Sequence, residues 1–72
     1  MSYRIFKRTW WKENPSWPNG LEPEAGERHY VRGRFETEEE ARAECRRLQR
    51  ELNKTMTKQE RRLSLKYELE RD

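Results

Sequence analysis

The segment of residues 35–52 constrains the fold most, because both ends of a helix can be read in it. Thr37 is followed three residues later by Glu40, which is the spacing of a capping box. Acidic residues 38–40 would lie at the positive end of the helix dipole, and the opposite end carries Arg46, Arg47 and Arg50. We therefore predict a helix over residues 37–52.

The apolar residues of this helix indicate what it packs against. They recur every three or four residues and form one narrow stripe, which consists of Ala41, Cys45, Leu48 and Leu52. Because two of these side chains are small, the helix can lie closely on a flat surface. We expect that surface to be a β-sheet.

Two segments that precede the helix have the composition of β-strands. Residues 3–11 and 28–35 are rich in aromatic and β-branched side chains. We predict that they form an antiparallel hairpin with the helix packed across one face. Gly33 indicates either a bulge or a close approach of the helix. Besides the helix stripe, we expect the core to contain Tyr3, Ile5, Val31 and Phe35.

Residues 12–27 connect the two predicted strands and contain three prolines. The spacing predicts a stiff loop with a β-turn that begins at Trp17 and closes at Gly20. Loops of this length are usually functional or disordered. Trp17 is therefore either a residue that ties the loop to the domain or an exposed binding residue.

The C-terminal segment permits two interpretations. Thr57 and Glu60 repeat the capping-box spacing, and the residues that follow favour helix, so we predict a helix over residues 58–70. Apolar and polar residues alternate over residues 62–69, however, which is typical of a third strand. A helix here would show apolar side chains on two sides, and we therefore expect a homodimer through residues 56–69.

Composition sets the scale of the fold. Only 31% of the residues are hydrophobic and 43% are charged, so we predict one small α+β domain over residues 1–72 with little core. Its eight aromatic residues argue against a disordered chain. No apolar run approaches the length of a signal-peptide core or a membrane span. We expect a cytoplasmic protein without membrane contact.

The sequence contains no pattern typical of catalysis. Cys45 lies on the apolar stripe, His29 lies in a predicted strand, and residues 38–40 are explained by helix capping. A single Cys cannot form a disulfide within the chain, and one Cys with one His is too few for a zinc site. A Gly-rich phosphate loop is also missing. We therefore expect no enzyme, no cofactor and no metal.

One face of the predicted hairpin alternates Arg with aromatic residues, and we predict that it binds a partner. The candidate residues, with Trp17 of the loop added, are Arg4, Phe6, Arg8, Trp10, Trp17, Tyr30, Arg32 and Arg34. Aromatic residues and Arg are enriched in protein-binding hot spots. They also bind phosphates and unpaired bases. Because 14 acidic residues offset 17 basic ones, we favour a protein partner and keep nucleic acid, or self-association through this face, as the alternatives.

Several short motifs carry a resemblance that spans most of the chain. They are Thr9-Trp10-Trp11, Asn14-Pro15, Trp17-Pro18, Gly20 to Pro23, Thr37 to Ala41 with Cys45, and Arg62 to Ser64. In their order they resemble a group of small, uncharacterised bacteriophage-encoded proteins. That resemblance implies a phage or prophage origin and a host or phage protein as the partner.

The junction between Phe35 and Thr37 carries a second resemblance. It is similar to the arm-binding domains of phage-type integrases, where a strand ending in Phe-x-Thr leads into a helix that begins with acidic residues. Those domains place three strands before the helix and read DNA with the sheet. Here two predicted strands and a Pro-rich loop precede the helix.

Overall fold

A computed structural model describes residues 1–72 and has the predicted α+β class. Its elements, in chain order, are β1 (Tyr3–Arg8), β2 (Trp11–Glu13), β3 (Leu21–Pro23), β4 (His29–Tyr30), α1 (Glu38–Thr55), α2 (Lys58–Arg62) and β5 (Lys66–Arg71). The strands form two sheets. One has the order β4-β1-β5, and the other is the β2–β3 hairpin.

Strand β1 is the centre of the larger sheet and is antiparallel to both neighbours. Phe6 lies opposite Tyr30 on β4 and opposite Glu68 on β5. The predicted antiparallel pairing of the two N-terminal strands is confirmed, although β4 is only two residues long. Beyond it, a single bridge joins Tyr3 to Phe35. Between these two points, Arg4 and Ile5 of β1 lie opposite the four residues 31–34. The longer segment forms a bulge around Gly33, whose φ is 96°.

Helix α1 begins where the sequence predicts. The Thr37 hydroxyl accepts a hydrogen bond from the Glu40 amide at 3.2 Å, and the helix extends to Thr55. It packs against β1 and β5. Ile5 and Ala41 are buried as expected. The other expected core residues are only half-buried, namely Tyr3, Val31, Phe35, Cys45, Leu48 and Leu52.

The predicted helix over residues 58–70 is wrong beyond Arg62. Thr57 and Glu60 form the expected capping box, but α2 has only five residues. Ser64, with φ at 57°, reverses the chain direction, and β5 follows. The alternative interpretation, a third strand, is therefore correct in type, with its bounds at Lys66–Arg71. Pairing with β1 overrides the local helix propensity of these residues.

The predicted strand over residues 3–11 is interrupted after Arg8, so that its two parts belong to different sheets. The amides of Trp10 and Trp11 both donate to the Leu63 carbonyl, at 2.9 and 3.2 Å. The Gly26 amide donates to the Thr9 carbonyl at 2.8 Å. A Cβ atom at Gly26 would lie only 2.5 Å from the Thr9 hydroxyl, so this approach requires glycine.

The segment predicted as a loop, residues 12–27, contains most of the second hairpin. The expected turn is present, because the Gly20 amide donates to the Trp17 carbonyl at 2.9 Å. Arg62 ties the hairpin to α2: it donates to the Asn19 carbonyl at 2.9 Å and lies 3.3 Å from the Glu13 carboxylate. The molecule measures 43 × 25 × 16 Å.

Candidate binding surface

The two faces of the larger sheet carry different side chains. Successive residues of a strand point to opposite faces. Tyr3 and Ile5 therefore lie on the face that α1 covers, which we call the inner face. Arg4, Phe6 and Arg8 lie on the opposite, outer face, together with their pairing partners on the neighbouring strands.

Cationic and aromatic side chains contact one another across the outer face. We call this group the outer-face cluster, and it consists of Arg4, Phe6, Arg8, Trp10, Arg28, Tyr30, Lys66, Glu68 and Glu70. Three strands and their flanking residues contribute to it. Residues that are as far apart in the sequence as Arg4 and Glu70 therefore become neighbours.

Phe6 is at the centre of the cluster and is only 3% exposed. The guanidinium carbons of Arg8 and Arg28 lie 5.3 and 4.7 Å from the centre of its ring. The Tyr30 ring is tilted against it, with 5.8 Å between the ring centres. Cations at these distances are attracted to the negative face of an aromatic ring. Phe6 is thus covered by charged and aromatic side chains.

The other two rings of the cluster are also contacted by cations. The Arg8 guanidinium lies 4.0 Å from the Trp10 ring centre, and the Lys66 ammonium lies 5.5 Å from it. The Arg4 guanidinium lies 3.8 Å from the ring centre of Tyr30. Each ring of the cluster is therefore in contact with at least one cation of the chain itself.

Two carboxylates of β5 hold these groups in place. Glu68 accepts a hydrogen bond from the Trp10 indole at 3.1 Å and lies 3.5 Å from Arg8 Nε. Glu70 accepts hydrogen bonds from Arg28 and from the Tyr30 hydroxyl, the latter at 3.0 Å. Charge-assisted hydrogen bonds of this kind are stronger than neutral ones. They fix the orientation of the Arg28 guanidinium, the Tyr30 hydroxyl and the Trp10 indole.

Most of the predicted site residues are brought together. Arg4, Phe6, Arg8, Trp10 and Tyr30 belong to the cluster, although Phe6 is buried and only Tyr30, at 41%, is largely exposed.

Three predicted site residues lie elsewhere. Arg32 and Arg34 are in the bulge after β4, where Arg34 lies 3.3 Å from the Asp72 carboxylate. Trp17 is 42% exposed and lies in the connection between β2 and β3, the two strands of the other sheet. It is therefore separate from the outer-face cluster.

Four members of the cluster are not among the site residues that the sequence predicts, namely Arg28, Lys66, Glu68 and Glu70. Three of these lie on β5, in the segment that the sequence predicts as a helix. The signal that indicates their position is the alternation of Tyr67 and Leu69 with polar residues. In a strand, Tyr67 and Leu69 point to one face, and Lys66, Glu68 and Glu70 point to the other.

The rest of the chain offers little reactive chemistry. The structure contains no group of three or more His, Cys, Asp or Glu side chains arranged to hold a metal ion. Burial raises the pKa of the Cys45 thiol, which keeps it in the less nucleophilic protonated form at neutral pH. Neither helix has the length and apolar composition that crossing a membrane requires.

Comparisons of the chain with protein-family models, with curated proteins and with solved structures found no match. The chemistry of the outer-face cluster is therefore the basis for a functional proposal.

Proposed function

We propose that this chain is a non-catalytic binding module that contacts a host or phage protein through its outer-face cluster. The proposal places it in the cytoplasm of a bacterial cell, encoded by a phage or prophage. The phage origin rests on the sequence resemblance alone. The binding mode rests on the geometry of the cluster.

The observation that carries the proposal is the contact of the chain's own cations with each aromatic ring of the cluster. Binding of unpaired bases relies on aromatic faces that are free for stacking. Phe6 is almost fully buried, Trp10 is half-buried, and Arg4 lies over Tyr30. Base stacking would have to displace these cations, whereas a protein partner can use the cluster as it stands.

The cluster also has the properties of a protein-binding hot spot. Tyr30 and Arg4 form a stacked pair in which the tyrosine is exposed, and these two residue types dominate the energetics of many interfaces. Because the guanidinium groups are already held by rings and carboxylates, little side-chain entropy remains to be lost on binding. Four cations against two carboxylates favour an acidic partner.

Nucleic acid remains the second candidate, because some cations near the cluster have no carboxylate partner within the chain. Arg4 and Lys66 of the cluster and Arg32 of the bulge after β4 form no ion pair. Such groups could contact phosphates, and binding would then weaken steeply as salt rises.

An affinity pull-down from host lysate, with and without nuclease, tests the proposal. The bait is the wild-type chain, the double variant Arg4→Gln/Tyr30→Ala, or the control Arg47→Ala. Arg47 is an exposed α1 residue that pairs only with Glu44. We expect one specific protein to be retained by the wild type and the control, whether or not nuclease is present, and to be lost with the double variant.

Two results would contradict this expectation. One is retention that disappears with nuclease, together with salt-sensitive binding to random oligonucleotides, which would support the nucleic-acid alternative. The other is a protein that the double variant retains as well as the wild type does. A further variant, Trp17→Ala, tests whether the hairpin connection contributes to the same contact.

A further inference from the structure

The two edges of the larger sheet are protected to different degrees. On one side, β4 has two residues and is followed by the bulge around Gly33, which carries Arg32 and Arg34. Short strands, bulges and charged side chains are the usual means of protecting an edge. On the other side, β5 is a regular strand of six residues, so its length and regularity distinguish this edge, although Lys66, Glu68, Glu70 and Arg71 are charged.

The register shows which backbone groups of β5 point away from β1. Tyr3 and Phe35 exchange both of their backbone hydrogen bonds, at 2.8 and 2.9 Å, and the Val31 amide donates to the Ile5 carbonyl. The backbone groups of Tyr3 and Ile5 thus point towards β4. Those of the intervening residues of β1 therefore point towards β5. On β5, the residues that turn their backbone groups to the free edge are therefore Tyr67, Leu69 and Arg71.

One position of this edge is already occupied. The Gln49 side chain of α1 reaches the edge, and its carbonyl accepts a hydrogen bond from the Tyr67 amide at 2.9 Å. It takes the place that a carbonyl of a neighbouring strand would have. The amides of Leu69 and Arg71 have no hydrogen-bond partner within the chain. The open part of the edge is therefore the stretch Leu69–Arg71.

We propose that this open edge of β5 is a docking site for an extended segment of a partner protein, which adds to the sheet as a fourth strand and carries an acidic side chain on its inner face. Backbone hydrogen bonds to a free edge are a common source of affinity in peptide recognition. The site is distinct from the outer-face cluster, and this proposal does not depend on whether the cluster binds a partner.

Arg71, a cation beside the edge, specifies an acidic side chain on the inner face of the segment, whereas Glu68 and Glu70 disfavour one on the outer face. A cleft on the inner side is lined by Tyr3, Glu38, Arg42, Leu69 and Arg71. Arg42 is paired with Glu38 at 2.5 Å, whereas Arg71 has no carboxylate partner. An acidic side chain on the inner face of the added strand, next to Leu69, would supply that partner.

A second copy of this chain fits the open edge poorly. Antiparallel self-pairing through Leu69 and Arg71 would set Glu70 of one copy against Glu70 of the other, and Glu68 against Asp72. Like charges directly opposite each other destabilise a strand pair. Registers that avoid this arrangement need the Tyr67 amide, which Gln49 occupies.

The homodimer predicted through residues 56–69 was inferred from a helix with two apolar sides. In β5, Tyr67 and Leu69 instead share the inner face, so that reason for self-association no longer applies. Self-association through the edge remains a measurable outcome of the experiment below.

The test is a titration of the ¹⁵N-labelled chain with a blocked six-residue peptide of sequence Thr-Val-Thr-Glu-Thr-Val, followed by NMR. We expect shifts and slowed hydrogen exchange at the Leu69 and Arg71 amides, and smaller changes at Tyr30 and at the Trp10 indole. Replacing Glu by Lys in the peptide should weaken binding about tenfold or more, because a charge-assisted pair with Arg71 is lost.

Two variants at one position separate the backbone contribution from the charge. Arg71→Ala removes the side chain beyond Cβ, with its charge, and keeps the backbone amide, whereas Arg71→Pro also removes the edge donor. The Arg71 amide points away from β1, so proline there breaks no hydrogen bond between β1 and β5. We expect weaker binding with Arg71→Ala and none with Arg71→Pro, while the spectra of both variants keep the dispersion of the folded chain.

Three results would overturn the proposal. They are equal binding of the Glu and Lys peptides, changes confined to the outer-face residues, and protection of the Leu69 amide that depends on protein concentration instead of peptide. The last of these would indicate a homodimer at this edge. A negative result at Leu69 and Arg71 leaves the outer-face proposal unaffected, because that surface is tested at Arg4 and Tyr30.

Discussion

Ile5 and Phe6 are consecutive residues of β1 that are covered in two different ways. Ile5 is 0% exposed on the inner face, and Phe6 is 3% exposed on the outer face. Helix α1 covers Ile5. Phe6 is covered by two guanidinium groups and a tyrosine. The same degree of burial is thus reached once with a helix and once with long cationic side chains.

A chain with so few hydrophobic residues can thus protect both faces of a small sheet. The aliphatic stems of Arg can lie on apolar surface while the charged ends remain near water. Their guanidinium groups also gain energy from aromatic rings. The inner face should therefore depend on shape and volume, and the outer face on charge and orientation as well.

The largest effect is expected at the inner face. Ile5→Ala should lower the free energy of unfolding by about 2–5 kcal/mol, because it leaves a cavity beneath α1. Urea denaturation, followed by circular dichroism, measures the change. Ile5→Val is the matched control and should cost only about 0.5–1.5 kcal/mol.

Such a loss is serious for a protein of this size, since small domains have little stability to spare. If Ile5→Ala destabilised the chain no more than Ile5→Val does, the inner face would not be the close-packed side of the sheet.

At the outer face, Phe6→Leu removes the ring and keeps an apolar side chain that is somewhat smaller. Phe6→Leu should cost about 1–2 kcal/mol, because the contacts with Arg8 and Arg28 lose their electrostatic part. A double-mutant cycle with Arg8→Met isolates that part, and we expect a coupling of about 0.5–2 kcal/mol from urea denaturation.

Coupling indistinguishable from zero would mean that Arg8 covers Phe6 only as an aliphatic stem. The outer face would then be an ordinary apolar surface, and the contrast with the inner face would disappear. Repeating the cycle at high salt tests whether screening by ions reduces the coupling.

The start of α1 and the core position of Ile5 were predictable from the sequence, since their signals are local, whereas Tyr67 and Leu69, which complete the inner face from β5, fall in the segment predicted as a helix. Thr37 and Glu40 mark the start of α1 within three residues, and the stripe through Ala41 marks the side that packs. The alternation within β1 placed Ile5 correctly in the core. Each of these patterns depends on a few neighbouring residues and on the geometry of one element.

The outer face was less predictable, because it depends on contacts between distant parts of the chain. Residues 66–71 have good helix propensity, and only pairing with β1, about sixty residues earlier, makes them a strand. Without β5, the carboxylates of Glu68 and Glu70 could not be placed beside Arg8 and Arg28. The interruption at Thr9 likewise depends on Gly26 and Leu63, which the sequence pattern does not link to it.

The smallest expected effect concerns the turn that leads into β5, and it depends on pH. The Glu60 carboxylate accepts a hydrogen bond from the Thr57 amide at 2.9 Å, and this bond lowers the pKa of Glu60 below the usual value of a glutamate. Because the pKa is lower in the folded state, the carboxylate stabilises the fold at neutral pH. That contribution should diminish as the pH falls through the usual range for glutamate and vanish below the folded pKa.

Urea denaturation of the wild type and of Glu60→Gln, measured between neutral and strongly acidic pH, tests this expectation. The wild type should be slightly more stable at neutral pH, and the difference should close as the carboxylate is protonated. Glu39→Gln is the control, since Glu39 is an exposed carboxylate of α1 without a hydrogen bond or an ion pair. A difference between wild type and Glu60→Gln that stayed constant down to the lowest pH would mean that the carboxylate's charge does not stabilise the capping box.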